Sequence, residues 1–174
     1  PPALDRLALE GVLFENNFCT TPLCMSSRAS MYTGSYVSRH GITGPGQTLA
    51  PEWVVQSYFM RLKEAGYRLG FLGKLHLGNV EDIRALHDYW WGWYDPDYYM
   101  YYSKDRLQEF HLTSHLADRA VEFIETSGDR PFCLTVCFKA PHVGKDDGNL
   151  FTSDPALQDL YSNTPIPEPR TATQ

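Results

Sequence analysis

Four places in this 174-residue sequence put reactive residue types at spacings that can do chemistry. The first is Cys24-Met25-Ser26-Ser27-Arg28. A turn around Pro22 feeds a helix there, so a cysteine sits at a helix N-terminus with an arginine one turn on. The helix end and the guanidinium both favour negative charge, which by itself would describe an activated thiol. The second and third are Gly73-Lys74-Leu75-His76 and Ala140-Pro141-His142. Each follows a run that reads as a strand, and open α/β sheets build their sites beyond the carboxyl ends of strands. Lys74, His76 and His142 are therefore candidates on placement alone. The fourth is His111 with His115, spaced as on one face of a helix start. Leu112-Thr113-Ser114 between them lacks the glutamate of a zinc-protease helix, so exposed or capping histidines are expected rather than a metal pair. Nor does Gly73-Lys74 complete a phosphate loop: the earlier glycine is absent and Leu75 stands where Ser or Thr is required.

The elements that must position these residues follow from pattern. Leu4, Leu7 and Leu9 with Asp5 and Glu10 read as a short amphipathic helix stopped by Gly11. Residues 12–18 read as a strand. A helix runs from Ser26 through Arg28, Met31 and Tyr32 to Gly34, and the glycines and proline of 39–48 make a loop. Pro51 opens a helix with Val54, Val55, Tyr58, Phe59 and Leu62 on its apolar face, closed at Gly66. Residues 67–72 form a strand with Tyr67, Leu69 and Phe71 on one face. A further helix covers about 113–126, with Leu116, Ala120, Phe123 and Ile124 inward. It leads past Gly128 to a strand from Pro131 to Phe138, apolar on both faces as a central covered strand would be. The repeated helix–strand unit predicts an α/β layered domain. Residues 89–102 stand apart, since nine of the fourteen are Tyr or Trp. They form either a platform for sugar or aryl rings or, the more economical reading, an irregular segment packed on itself.

Composition narrows the classes. Formal net charge is −6, with 43% hydrophobic and 21% charged residues, which excludes a disordered chain. No apolar run is long enough for a transmembrane helix, and no leader is visible at the start. The acidic balance argues against nucleic acid as a partner. The four cysteines are Cys19, Cys24, Cys133 and Cys137. They match no zinc spacing. Cys133 and Cys137 would be about 13 Å apart along a strand, too far for a disulfide. Cys19, Cys133 and Cys137 are expected to be small buried hydrophobes.

With its surroundings, Cys24 to Gly34 resembles the signature of the sulfatase family, Cys-x-Pro-x-Arg continuing into Thr-Gly. The stretch Leu4-Asp5-Arg6-Leu7 through Glu10-Gly11-Val12 resembles the family's first helix and following strand. Gly73-Lys74-Leu75-His76-Leu77-Gly78 resembles its Gly-Lys-Trp-His-Leu-Gly segment, and Phe138-Lys139-Ala140-Pro141-His142 its Ala-Pro-His segment. Ser26 takes the place of the signature proline, and Leu75 that of the tryptophan. Segments matching the family's paired aspartates, its later Asp and Asn metal ligands and its second lysine are not found.

The resemblance implies an arylsulfatase-like, alkaline phosphatase-like α/β sandwich with a mixed, mainly parallel central sheet flanked by helices. Residues 1–161 would be part of the catalytic domain, and the Pro-rich polar segment 162–174 would continue it. The activity implied is hydrolysis of a sulfate monoester, with a carbohydrate as the suggested substrate and this piece inactive by itself. Cys24 would be oxidised to formylglycine by a formylglycine-generating enzyme. The hydrated aldehyde would attack sulfur through one hydroxyl, and the other would later expel sulfate. Arg28 would hold the diol and Lys74 would bridge it to a sulfate oxygen. His76 would assist its deprotonation, and His142 would contact the sulfate or leaving oxygen. One Ca²⁺ would bind there, with modified Cys24 as its sole ligand in this chain. Ser27, Ser30, His40 and Lys139 receive no role. The family also implies export, to periplasm, lysosome or medium. Three alternatives remain: a formylglycine-dependent phosphonate monoester or phosphodiester hydrolase, a non-catalytic protein that binds a sulfated ligand, and a hydrolase with a cysteine thiol as nucleophile.

Overall fold

The structure is a computed structural model that describes residues 2–102, 109–146, 148–169 and 171–172. Arg170, Thr173 and Gln174 of the polar tail lie outside the described residues.

Helix α1, Pro2–Glu10, forms where expected but buries nothing, with Leu4, Leu7 and Leu9 at 62–87% exposure. The expected strand at 12–18 is absent. That segment has no ladder partner among the described residues, and an unpaired strand gains no backbone hydrogen bonds. Helix α2, Cys24–Thr33, ends on Gly34, whose left-handed φ of 66° lets its N–H reach Ser30 O. A short α3, Val37–His40, follows. The single helix expected from Pro51 is two: α4, Pro51–Gln56, and α5, Tyr58–Glu64. Ser57 breaks it. Its backbone is extended, its Oγ donates to Val54 O at 2.6 Å, and the same oxygen accepts from Met60 N to cap α5. Serine competes with the helix backbone in this way, which apolar spacing does not register. Val55 in consequence is exposed while Phe59 is buried.

Strand β1, Arg68–Lys74, is followed by α6, Val80–Arg84, and by β2, Tyr89–Trp93. Strands β3, Met100–Tyr102, and β4, Glu109–His111, pair antiparallel as a separate two-stranded sheet. Helix α7, Leu112–Glu125, then leads to β5, Phe132–Cys137. The main sheet has the order β2-β1-β5, with both pairings parallel. The centre is therefore β1, not β5. The latter lies at the edge among the described strands, with Cys133–Cys137 only half-buried.

Two apolar layers enclose β1. Leu69 and Phe71 face Met25, Ala29, Tyr32, Phe59 and Ile83 from α2, α5 and α6. Leu72, on the other face, meets Leu112 and Leu116 of α7. Burying side chains of this size stabilises by roughly 1.5–3 kcal/mol each, so these layers hold the sheet between its helices. Ile124, expected in the core, is 49% exposed. The α/β architecture expected from the helix–strand repeat is the one observed.

The aromatic block is not irregular. Its first five residues are β2, Trp90 stacks on Phe71 at 4.9 Å between centroids, and Trp93 stacks on Tyr101. Tyr99 is 2% exposed. Most of the block is consumed by packing.

Candidate active site

The three parallel strands end on one side, and each delivers a charged side chain there. Lys74 closes β1. The pairing of β1 with β2 continues past both ends, since Leu75 N and His76 N donate to Trp93 O and Tyr94 O, each at 2.7 Å. That registration places Asp95 beside Lys74. Lys139 follows the end of β5 in the same manner. Ligand sites of open α/β sheets occupy this position.

Only glycine fits immediately before Lys74. Gly73 has φ of 91°, and a Cβ there would lie 2.0 Å from Cys137 O. Three residues on, His76 holds φ of 60°, a left-handed conformation uncommon outside glycine and found disproportionately at functional sites.

Arg28 ties α2 to this edge by donating from Nη1 to Lys74 O at 2.6 Å. Cys24 is the first residue of α2, half-buried against the first apolar layer, and one helical turn before Arg28. It thus stands at an end that presents unpaired N–H groups and the positive pole of the helix dipole.

The charges are concentrated. Lys74 is 3% exposed, and its Nζ lies 3.1 Å from each Asp95 carboxylate oxygen. Lys139 is 5% exposed, with Nζ 3.9 Å from Asp95 Oδ1 and 3.5 Å from His142 Nδ1. His76 Nε2 is 3.8 Å from Asp95 Oδ2, while its Nδ1 is buried with no partner among the described residues. Burial lowers the His76 pKa, Lys74, Arg28 and His142 add to this, and Asp95 opposes it. His76 is therefore held towards the neutral imidazole, the form that accepts a proton. His142 is exposed on the loop after β5. Tyr99 fixes that loop by donating its hydroxyl to His142 O, and Asp146 in turn accepts from Tyr99 N and Met100 N.

Of the residues singled out in the sequence, Arg28, Lys74, His76 and His142 come together, and α2 sets Cys24 one turn before Arg28. Asp95 and Lys139 were missed. The rule that found Lys74 and His142 also applies to them, because they too lie just past strand ends. Asp95 was hidden because β2 was not recognised inside the aromatic block. Other expectations are corrected. Cys19 is exposed, with Sγ 3.4 Å from Ser27 Oγ, in a segment, 11–20, that is exposed throughout, whereas Cys133 and Cys137 are half-buried against the core. All four cysteines are free. His111 takes the N-cap position of α7, but its side chain makes no capping bond and is not exposed: it is 6% exposed, and its Nε2 lies 3.0 Å from Thr152 O. His115 stacks on Phe110 at 4.4 Å, so packing rather than solvent takes the ring. His40 is also buried. Its Nδ1 accepts from Ile42 N, which leaves Nε2–H to donate to Ser30 Oγ.

The model of the Sulfatase family matches residues 1–166. The chain belongs to the sulfatase family. An N-acetylglucosamine-6-O-sulfatase of Bacteroides thetaiotaomicron is 29% identical over 97% of this chain and 30% of its own length. An extracellular sulfatase SULF-1 homolog of Drosophila melanogaster is 30% identical over 87% of this chain and 15% of its own length. This sulfatase chain therefore spans less than a third of the length of either of these two relatives. The solved phosphonate monoester hydrolase of Agrobacterium radiobacter shares the fold, with a TM-score of 0.62 at 20% identity over 81% of this chain and 36% of its own.

Sulfatases in general depend on a formylglycine and a divalent metal ion. The Cys24 position suits the first, because an oxygen-bearing side chain there would meet helix N–H groups and a neighbouring guanidinium. The metal is another matter. Among the described residues no group of three or more His, Cys, Asp or Glu could hold an ion. Asp95, the carboxylate within this cluster, is already paired with lysine. The described residues do not by themselves form the metal site. No helix described is long and apolar enough to cross a membrane.

Proposed function

We propose that the protein carrying this chain hydrolyses a sulfate monoester, with Cys24 converted to formylglycine as its nucleophile. The observation that carries this is the meeting of Arg28, Lys74, His76 and His142 beside the helix end that begins with Cys24. Formylglycine, once formed, supplies a hydrated aldehyde oxygen as nucleophile and a means of releasing sulfate afterwards.

The remaining work falls to residues of this chain. Arg28, fixed through Lys74 O, presents a cation at the nucleophile. Lys74 projects from a rigid strand end towards the sulfuryl oxygens, where a preorganised cation in a partly dry site stabilises developing charge. His76, held neutral, accepts a proton at an imidazole nitrogen. His142, on the exposed loop, reaches the sulfate or leaving oxygen. Lys74 and His142 are thus the substrate-binding pair, and Cys24 is the one metal ligand we assign to this chain, the ion being Ca²⁺.

A sulfated carbohydrate is the substrate class. The support is that a relative is named an N-acetylglucosamine-6-O-sulfatase, not the aromatic block, most of which is consumed by packing. A formylglycine-generating enzyme would be the maturation partner. Export is proposed because a relative is named an extracellular sulfatase. Residues 1–161 belong to the catalytic domain in this reading, and 162–174 continue it.

The test is turnover by the full-length protein, expressed with its maturation machinery, on an aryl sulfate and on an aryl phosphonate monoester. Sulfate release that is lost in Cys24→Ala supports the proposal. Faster phosphonate hydrolysis would replace it with the phosphonate hydrolase alternative. No turnover of either, despite ligand binding, would leave the binding protein.

A further inference from the structure

Lys74 and Lys139 are both almost wholly buried, come from different strands, and converge on one carboxylate. Burying an ammonium is costly unless it is paired. Asp95 is the sole anion within reach of both among the described residues. It is 26% exposed, so it closes the cluster on its solvent side. Arg28, Lys74 and Lys139 against Asp95 leave a local excess of positive charge where an anion would enter.

We propose that Lys139 and Asp95 are functional members of this anion site. Lys139 is a further cation that contacts the bound sulfate group. Asp95 is a positioning residue that holds both lysines in place and competes with the incoming anion for them. Its carboxylate oxygens lie between Lys74 Nζ, Lys139 Nζ and His76 Nε2, at 3.1, 3.9 and 3.8 Å. That point is where the field of the two lysines is directed, so a sulfate oxygen and the Asp95 carboxylate seek the same donors. The longer contact to Lys139 is the weaker, and it is the one that yields to a ligand. Lys139 also lies 3.5 Å from His142 Nδ1, which links it to the group that faces the leaving oxygen.

This inference rests on the sulfatase reading, and the test separates the two. Inorganic sulfate is titrated calorimetrically into the full-length protein and its variants, with unfolding midpoints measured in parallel. Lys139→Met should weaken sulfate binding about 10–100-fold, the loss expected for one charge-assisted contact, and Lys139→Arg should restore most of it. Should Lys139→Met fail to fold, Lys139→Gln keeps a polar head in the slot and carries the same expectation. Asp95→Asn should tighten sulfate several-fold while lowering the unfolding midpoint, because the competitor and the counter-ion are removed together. A purely structural aspartate would lower the midpoint without tightening sulfate, and that result overturns its role. Equal sulfate affinity in the unaltered protein and the Lys139 variants overturns the role of Lys139. If the unaltered protein binds no sulfate, the parent reading falls and takes this one with it.

Discussion

Arg28 shows what a single side chain must do here. Its guanidinium reaches the backbone oxygen of Lys74 at 2.6 Å while remaining one turn from Cys24. A lysine at that position is shorter in reach and lacks the planar fork that can bond a carbonyl and face the nucleophile together. Arg28→Lys is therefore expected to lower kcat/KM of the full-length protein about 10²-fold, in the range for losing one oriented donor. Steady-state kinetics check this, and an unfolding midpoint shows that the loss is not one of folding. The residues whose role follows from local context were legible in sequence: a cysteine before a helix, and polar residues after strands. Asp95 and Lys139 were not, because their meaning lies in charges that meet only once three strands are side by side. Ser26 illustrates the same limit. It is fully buried and its Oγ has no partner among the described residues, a cost that linear sequence does not display.

At the scale of elements, the approach of β1 to β5 depends on Gly73. Its φ of 91° disfavours any side chain, and a Cβ would meet Cys137 O at 2.0 Å. Gly73→Ala is expected to destabilise by at least ~2 kcal/mol, since the backbone must change region or the strands must part. Denaturant unfolding measures this, and activity should fall further than stability, because Lys74 is the next residue. The helix and strand types were readable wherever a buried face repeated its period, as in α2, β1 and α7. They were unreadable where something else decided. Ser57 split one expected helix through a hydrogen bond to Val54 O. Tyr and Trp in β2 disguised a parallel strand as an aromatic cluster. Residues 12–18 had strand composition but no ladder partner among the described residues.

For the molecule as a whole, the net charge of −6 opposes anion binding, yet the strand ends gather Arg28, Lys74 and Lys139 in one place. Local arrangement outweighs the sum, because buried and partly buried charges are screened far less than surface ones. Global stability should carry a distinct pH signature from His87. This ring packs against Phe59, Phe71 and Trp90, its Nδ1–H donates to Ile83 O, and its Nε2 is buried without a partner among the described residues. Burial lowers its pKa from 6.5 to about 4, with Lys63 adding to the effect and Asp88 and the Ile83 hydrogen bond opposing it. The unfolded chain thus binds the proton more tightly than the folded one. Stability from this group is fully present above pH 6.5 and is lost as pH falls towards 4. The loss is ~3 kcal/mol. Guanidinium unfolding at pH 7.5 and 4.5 should show it, and His87→Phe should remove most of the difference.

The central claim is that Cys24 becomes the nucleophile of a sulfatase. The most direct measurement is the mass of the peptide spanning Cys24, taken from protein made in its native host. A mass in which an aldehyde has replaced the thiol-bearing side chain is the predicted result. An intact cysteine that still takes up a thiol-alkylating reagent would contradict it, whatever the arrangement of Arg28, Lys74, His76 and His142 around it.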